Sequence, residues 1–279
     1  MVTADDFGLD VAVNEAVEKG HRDGILTSAS LMVGAPAAAD AVARARRLPE
    51  LSVGLHLVLI DGEPVLSPQE LGGLVRRDGR FDENQVRAGF RFFFAPRIRE
   101  RLAAEIRAQF EAFRATGLVL NHVDAHKHMH LHPTVARLLV AIGRDYGMRA
   151  VRLPAEPRAV LRRIFPEERL PAPPPGFAVA LLRRRLRRAG IAHNDHVFGI
   201  AWSGGMTEAR LLALVPHLPE GISEIYLHPA MAHGPVLAAA MPAYRHTEEL
   251  AALLSAAVRR RIEEFGIRLT SYGNIASGG

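Results

Sequence analysis

His122-Val-Asp-Ala-His-Lys-His-Met-His-Leu-His132 sets a histidine or an aspartate at every second position across eleven residues, just after the apolar Leu118-Val-Leu120. A β-strand turns alternate side chains to one face, so His122, Asp124 and His126 are expected to converge at a strand end. The five histidines of the run cannot all hold one ion, because a catalytic centre takes about three protein ligands and keeps a position open. The remaining ligands must come from elsewhere in the chain.

Four other places put polar groups where apolar runs stop. They are Asp5-Asp6-Phe7-Gly8, His56 in Gly54-Leu-His-Leu57, Arg152 in Val151-Arg-Leu-Pro154, and His228 in Tyr226-Leu-His-Pro-Ala230. Each has a plain reading by itself: an acidic turn, a core histidine, a surface salt bridge, a hydrogen bond to a turn. A common fold changes that. Strand-like runs at Met1–Ala4, Thr27–Val33, Leu51–Leu57, Leu118–Val123, Ala150–Leu153, Val197–Ala201, Ile222–Leu227 and Ile267–Ser271 alternate with helical patterns. The helices fall near Asp10–Arg22, Ala37–Arg47, Arg97–Ala115, Pro133–Tyr146, Thr207–Val215 and Thr247–Phe265. Repeated βα units of this kind predict an α/β chain folded as an irregular TIM-like (β/α) barrel, one domain over residues 1–279. In such a barrel the active residues lie at the C-terminal ends of different strands. Asp5, Asp6, His56, His126, Arg152 and His228 then share one rim.

On that rim Asp6, His56 and His126 supply three metal ligands from three strands, and Asp5 is placed as a base. His228 is a general-acid candidate, and Arg152 is expected to orient Asp5 or hold substrate. His122, Asp124, His128 and His130 orient ligands, touch substrate or serve structure, and His132 caps the helix that starts at Pro133. Asp10 and Thr207 are expected as helix caps. The first strand, with four residues before Asp5, is expected to be frayed or to lack residues before it. Two stretches near 61–94 and 154–196 break the alternation and read as lid-like or mobile insertions.

Composition removes whole classes. With no cysteine, any metal rests on imidazole and carboxylate, and a thiol nucleophile or disulfide is excluded. Gly-x-Ser-x-Gly, a phosphate-binding Gly-x-x-x-x-Gly-Lys-Ser/Thr loop, Gly-x-Gly-x-x-Gly and His-Glu-x-x-His are all absent. No apolar run approaches the roughly 20 residues that span a bilayer, so a cytoplasmic protein is expected. Net charge is +5, yet only Lys19 and Lys127 of the 35 basic residues are lysines. This arginine bias is a poor argument for nucleic acid, and none is expected as a partner; a homodimer stays open.

The motifs Thr3-Ala-Asp-Asp-Phe-Gly8, Gly54-Leu-His-Leu57, His122-Val-Asp-Ala-His126 and His228-Pro229, in this order, resemble those of the YdjC-like carbohydrate deacetylases. Gly24-Ile-Leu-Thr-Ser-Ala-Ser-Leu-Met-Val33, Ala125-His-Lys-His-Met-His-Leu-His-Pro-Thr134 and Ala201-Trp-Ser-Gly204 are similar to the hopanoid-biosynthesis-associated (HpnK-like) branch. The resemblance implies a TIM-like barrel, one divalent metal (zinc or magnesium) on Asp6, His56 and His126, Asp5 as base, and N-deacetylation of an acetylated amino sugar. The narrower likeness implies N-acetylglucosamine attached to a hopanoid lipid. Ala125 stands where the sugar-oligomer branch often has Ser, which argues against chito-oligosaccharide.

Between Arg158 and Arg188 nine arginines face only Glu167 and Glu168, and Ala180-Leu-Leu-Arg-Arg-Arg-Leu-Arg-Arg188 mixes apolar with basic residues. This segment is expected to lie on an anionic membrane, peripheral at the inner surface. Another metal-dependent hydrolase, such as a phosphoesterase, and a non-enzymatic basic binding protein are the competing readings.

Overall fold

Six parallel strands carry the molecule in the computed structural model, which describes residues 1–276. They are β1 (Val2–Phe7), β2 (Ser28–Leu31), β3 (Ser52–Leu57), β4 (Val123–Ala125), β5 (His196–Phe198) and β6 (Ser223–Leu227). Their order is β4-β3-β2-β1-β6-β5, curled into a TIM-like half-barrel with helices on the outside. Among the described residues no helix is long and apolar enough to cross a membrane.

Two of the eight expected strands are corrected. Ala150–Leu153 makes only isolated bridges, Val151 to Val123 and Ala150 to Ala192. It still fills the gap between β4 and β5, because Ala155 O accepts from Val197 N at 3.1 Å. Pro154 lacks the donor a longer ladder needs. The side chain of Asn194 takes the place of a strand partner, accepting from Leu153 N at 2.7 Å and donating to Leu153 O at 2.8 Å. Ile267–Ser271 pairs with no strand, since its first amide turns back to Ile262 O and closes the preceding helix.

The first strand also differs from expectation. β1 is six residues long, buried throughout, and pairs with β2 on one side and β6 on the other. Asp5 and Asp6 lie within it rather than after it. Its frayed end is not observed; the Met1 ammonium donates to Ser223 O at 2.8 Å.

The insertions are partly helical. Residues 61–94 contain helices Pro68–Leu71 and Gln85–Phe94, and residues 154–196 contain Arg158–Ile164 and Gly176–Ala189. Buried Glu105 pins the first of them by accepting from Val65 N and Leu66 N at 2.8 and 3.0 Å. The expected helix Thr247–Phe265 is two helices, His246–Leu254 and Ala256–Glu264, because Ser255 turns to cap Val258 N. Asp10 caps its helix through Ala12 N at 2.7 Å, whereas Thr207 holds the cap position without a side-chain bond.

One face of the sheet is apolar, with Ala4, Ala29, Leu55 and Val123 in the core. The other face is polar where strands meet: Thr3 donates to Glu224, Ser30 pairs with His122, and His56 pairs with Asp124. His122 lies flat over Gly54, and its far face stacks on Tyr272 with centroids 4.4 Å apart. A Cβ at residue 54 would stand 2.4 Å from the ring, which Tyr272 prevents from retreating. Gly54→Ala is therefore expected to lower stability by about 1–3 kcal/mol, measured by thermal melting. Adding His122→Ala should recover part of that loss.

Candidate metal and catalytic site

The bulge in β1 builds the centre of the site. The register with β2 slips between Ala4 and Phe7, and Asp6 adopts φ 61°, a left-handed conformation uncommon outside glycine. That twist lets neighbouring carboxylates act at one strand end, which a flat strand would send to opposite faces. Asp6 Oδ1 comes within 3.4 Å of His56 Nε2 and 3.3 Å of His126 Nδ1, and the two ring nitrogens are 3.4 Å apart. Donor atoms about 2.1 Å from a tetrahedral cation stand about 3.4 Å from each other, so the triangle has the size of one coordination face. Both oxygens of Asp6 are buried without a hydrogen-bond donor.

The charges agree with that fit. Burial opposes ionisation of Asp6, but His126, His228 and His56 together hold its carboxyl below the usual carboxylate range. For His56, burial works against a proton, yet Asp124, Asp5 and Asp6 overcome it and push the imidazole up to about 9. The pocket favours positive charge at the point where the three donors meet. Asp6, His56 and His126 are thus the residues that could hold a divalent metal.

Asp124 orients one of them. His56 Nδ1 donates to Asp124 Oδ1 at 2.9 Å, which fixes the tautomer and leaves Nε2 facing Asp6 and His126. Arg152 sits behind, fully buried, so it is no surface salt bridge. Its Nη1 and Nη2 bond Asp5 at 2.7 and 2.8 Å, Nε and Nη2 bond Glu224 at 3.0 and 2.9 Å, and Nη1 lies 2.5 Å from Asp124 Oδ2. Burial raises Asp5 to about 6 even with Arg152 pulling the other way. Each Asp5 oxygen accepts one bond from Arg152 and keeps a free lone pair.

The other histidines divide by surroundings. His130 donates to Arg152 O at 2.9 Å and His122 pairs with Ser30; burial pushes both rings down to about 4. His128, left-handed at φ 54°, reaches Tyr226 OH at 3.3 Å and lines the cavity. His132 makes no cap bond, contrary to expectation; its ring packs edge-on against Phe92 and Phe93. His228 ends β6, held by its N–H to Glu249 at 2.5 Å and by His246 donating to its carbonyl at 2.6 Å. Burial pushes His228 down to about 4.

Asp5, His56, His126, His128 and His228 open on a cavity of 920 Å³. Its lining is of two unlike kinds: Asp61, Glu63, Arg80 and Lys127 are charged, and Val236, Ala239, Met241 and Pro242 are apolar. The apolar group, from the segment after β6, was not foreseen, nor were Glu224, Tyr226 and the cavity-lining Tyr244. Glu224 carried a signal: it is the one acid inside the apolar run Ile222–Leu227.

A model of the YdjC-like protein family matches residues 1–264. This chain belongs to the YdjC-like family. It is 30% identical to a carbohydrate deacetylase of Brevibacillus brevis across 99% of this chain and 98% of that protein. With a carbohydrate deacetylase of Geobacillus stearothermophilus it shares 30% identity over 98% of this chain and 96% of the other. A crystal structure from Enterococcus faecalis, of a protein named for cellobiose-phosphate cleavage, superposes with a TM-score of 0.78 at 23% identity, covering 99% of this chain and 97% of that one. That likeness is one of fold.

Two outcomes follow for this YdjC-like protein. In calorimetric titration with zinc, Asp6→Ala should abolish binding and Asp124→Asn should weaken it by about 10- to 100-fold. His122 and His130 have folded-state pKa values near 4 against 6.5 for the free ring. As pH falls through that window the unfolded chain takes up protons that the folded one refuses, so stability declines from about pH 6.5 down to about 4. Thermal melts across this range should show a shallower decline for His122→Gln than for the natural protein.

Proposed function

We propose that the protein is a carbohydrate deacetylase, a metal-dependent hydrolase that removes the acetyl group from an N-acetylated amino sugar. The observation that carries this reading is the Asp6-His56-His126 triangle beside Asp5, with Asp5, His56 and His126 lining one cavity. A bound divalent metal would supply Lewis-acid polarisation and a water of lowered pKa. Asp5, with a lone pair left on each oxygen and a carboxyl raised by burial, is suited to take the proton of the attacking water. Arg152 positions that carboxyl. As the carbonyl carbon gains the water oxygen and the C–N bond breaks, the leaving nitrogen needs a proton, and His228 faces the same cavity to deliver it. Burial keeps this ring neutral near pH 7, with its pKa about 4, so it delivers a proton only after taking one up, and the proton that Asp5 removes from the water supplies it. The products are acetate and a free amino sugar.

The mixed lining of the cavity supports a lipid-linked substrate, and within that class a hopanoid-attached N-acetylglucosamine. The charged residues offer hydrogen bonds to sugar hydroxyls, while Val236, Ala239, Met241 and Pro242 offer apolar surface to an aglycone. The name shared by the relatives supports the sugar half of the reading. The test is acetate release from an N-acetylglucosaminyl lipid beside a water-soluble N-acetylglucosamine oligomer, with and without chelator. The lipid should be preferred, chelation should abolish turnover, and Asp5→Asn should lower kcat by about 10²- to 10⁴-fold. Undiminished turnover in metal-free protein, or faster phosphate release from model esters, would overturn the assignment.

A further inference from the structure

The helical insertions flank the rim where the cavity opens, and each sends large apolar side chains into solvent. On the helix Gln85–Phe94, Val86, Phe90, Phe93 and Phe94 recur at helical spacing and all are exposed, Phe94 by 69%, while Ala88 and Phe92 face the core. On the helix Gly176–Ala189, Phe177 is 75% exposed, and the same outward stripe continues through Leu181, Arg184 and Arg188; Ala178, Leu182 and Leu186 face inward.

Topology places both stripes at one end of the barrel. A helix that leads into a barrel strand begins at the rim where the strands end. Pro96–Ala115 leads into β4 and Gly176–Ala189 into β5, so Phe94 and Phe177 stand on the rim that carries the His126 imidazole. Contacts bear this out: Phe93 packs on His132, and Arg185 donates to Pro133 O at 3.0 Å. At the other end of the phenylalanine helix Gln85 donates to Lys127 O at 3.0 Å, and Lys127 lines the cavity.

Charge selects the occupant. Arg97, Arg184, Arg187 and Arg188 are exposed and form no ion pair among the described residues. Arg185 is half-buried with its bond to Pro133 and does not join the outward arginines. A second copy of the chain would set these unpaired arginines against each other. Single-stranded nucleic acid needs open ring faces, but Phe90 and Phe94 stack on one another at 6.0 Å and Phe93 meets Phe94 edge-on at 4.9 Å. Val86 and Leu181 in the same stripes offer a base nothing to stack on. A bilayer with anionic headgroups suits both features, taking apolar side chains into the acyl boundary and guanidinium groups at phosphate level.

We propose that this rim docks on an anionic lipid bilayer through Phe90, Phe94 and Phe177, with Arg184, Arg187 and Arg188 at the headgroups, so that the cavity opens beside the membrane. The proposal does not depend on the deacetylase reading, and its test uses no turnover. The full chain is sedimented with vesicles of phosphatidylglycerol and phosphatidylcholine in equal parts, and with phosphatidylcholine alone. Binding is expected to the anionic vesicles, to weaken with salt, and to fall at least about tenfold in Phe90→Ser/Phe94→Ser. Neutralising Arg184, Arg187 and Arg188 to Gln should cost about a hundredfold, the product of about fivefold per charge. Since these side chains are exposed, thermal melts of the variants should match the natural protein, which separates lost docking from lost fold. A natural protein that stays in the supernatant, variants that sediment unchanged, a dimer that dissociates on Phe90→Ser/Phe94→Ser, or retention on single-stranded DNA in place of vesicles would each overturn it.

Discussion

Arg152 is the group on which the rest of the site rests. A guanidinium has five N–H donors, and here four hydrogen bonds run to the carboxylates of Asp5 and Glu224 from a fully buried position, while Nη1 also lies 2.5 Å from Asp124 Oδ2. Its plane also lies over Tyr226, with the central carbon 4.8 Å from the ring centroid. Three acids so close would expel one another without the cation between them. Removing one member of a buried ion pair commonly costs about 3–5 kcal/mol, because the charge left behind has no partner. Lysine could not replace it, since a single ammonium cannot address three planar carboxylates at once.

Through Arg152 the proposed base and the proposed metal centre share one scaffold. Asp124 touches the guanidinium with one oxygen and His56 with the other, so a ligand imidazole and the Asp5 carboxylate are held by the same buried charge. Behind it Glu224 takes Tyr272 OH at 2.5 Å and Thr3 Oγ1 at 2.7 Å, tying the arrangement to β1 and to the helix at the end of the described chain. The interior of this barrel is therefore lined by linked polar contacts where many barrels pack aliphatic layers. Apolar burial is left to the outer face of the sheet and its helices.

How much of this was legible follows from distance along the chain. Asp6, His56 and His126 could be singled out because each ends an apolar run, and barrel topology alone brings such ends together; the structure does bring these three together. The end of the first strand was misplaced before Asp5, since a bulge with positive φ at an aspartate has no signature in composition. The fifth expected strand failed for a local reason: the amide of Asn194 does the work of a neighbouring strand, and such substitution depends on a fold already formed. His132 was assigned a cap from its place before Pro133, but the phenylalanines it packs against come from an insertion some forty residues earlier. Glu224 and Tyr272 were invisible as a pair because only the folded chain sets the last described helix beside β6.

The insertions show why a polar interior and an apolar rim belong to one molecule. The barrel supplies a buried cluster of charge that must be shielded from bulk water to keep its strength, and its short strands end close to solvent. The segment at 61–94 supplies part of the cavity wall and is pinned by Glu105, and the segment at 154–196 is held by Glu156, which accepts from Gly199, Ile200 and Ala201 N–H groups. Walls that shield in this way must present an outer surface, and here that surface carries phenylalanine and leucine beside unpaired arginine. A protein meant to stay clear of every surface would gain solubility from polar residues at those positions. Their place on the rim that carries His126 ties the outer surface to whatever approaches the site from outside.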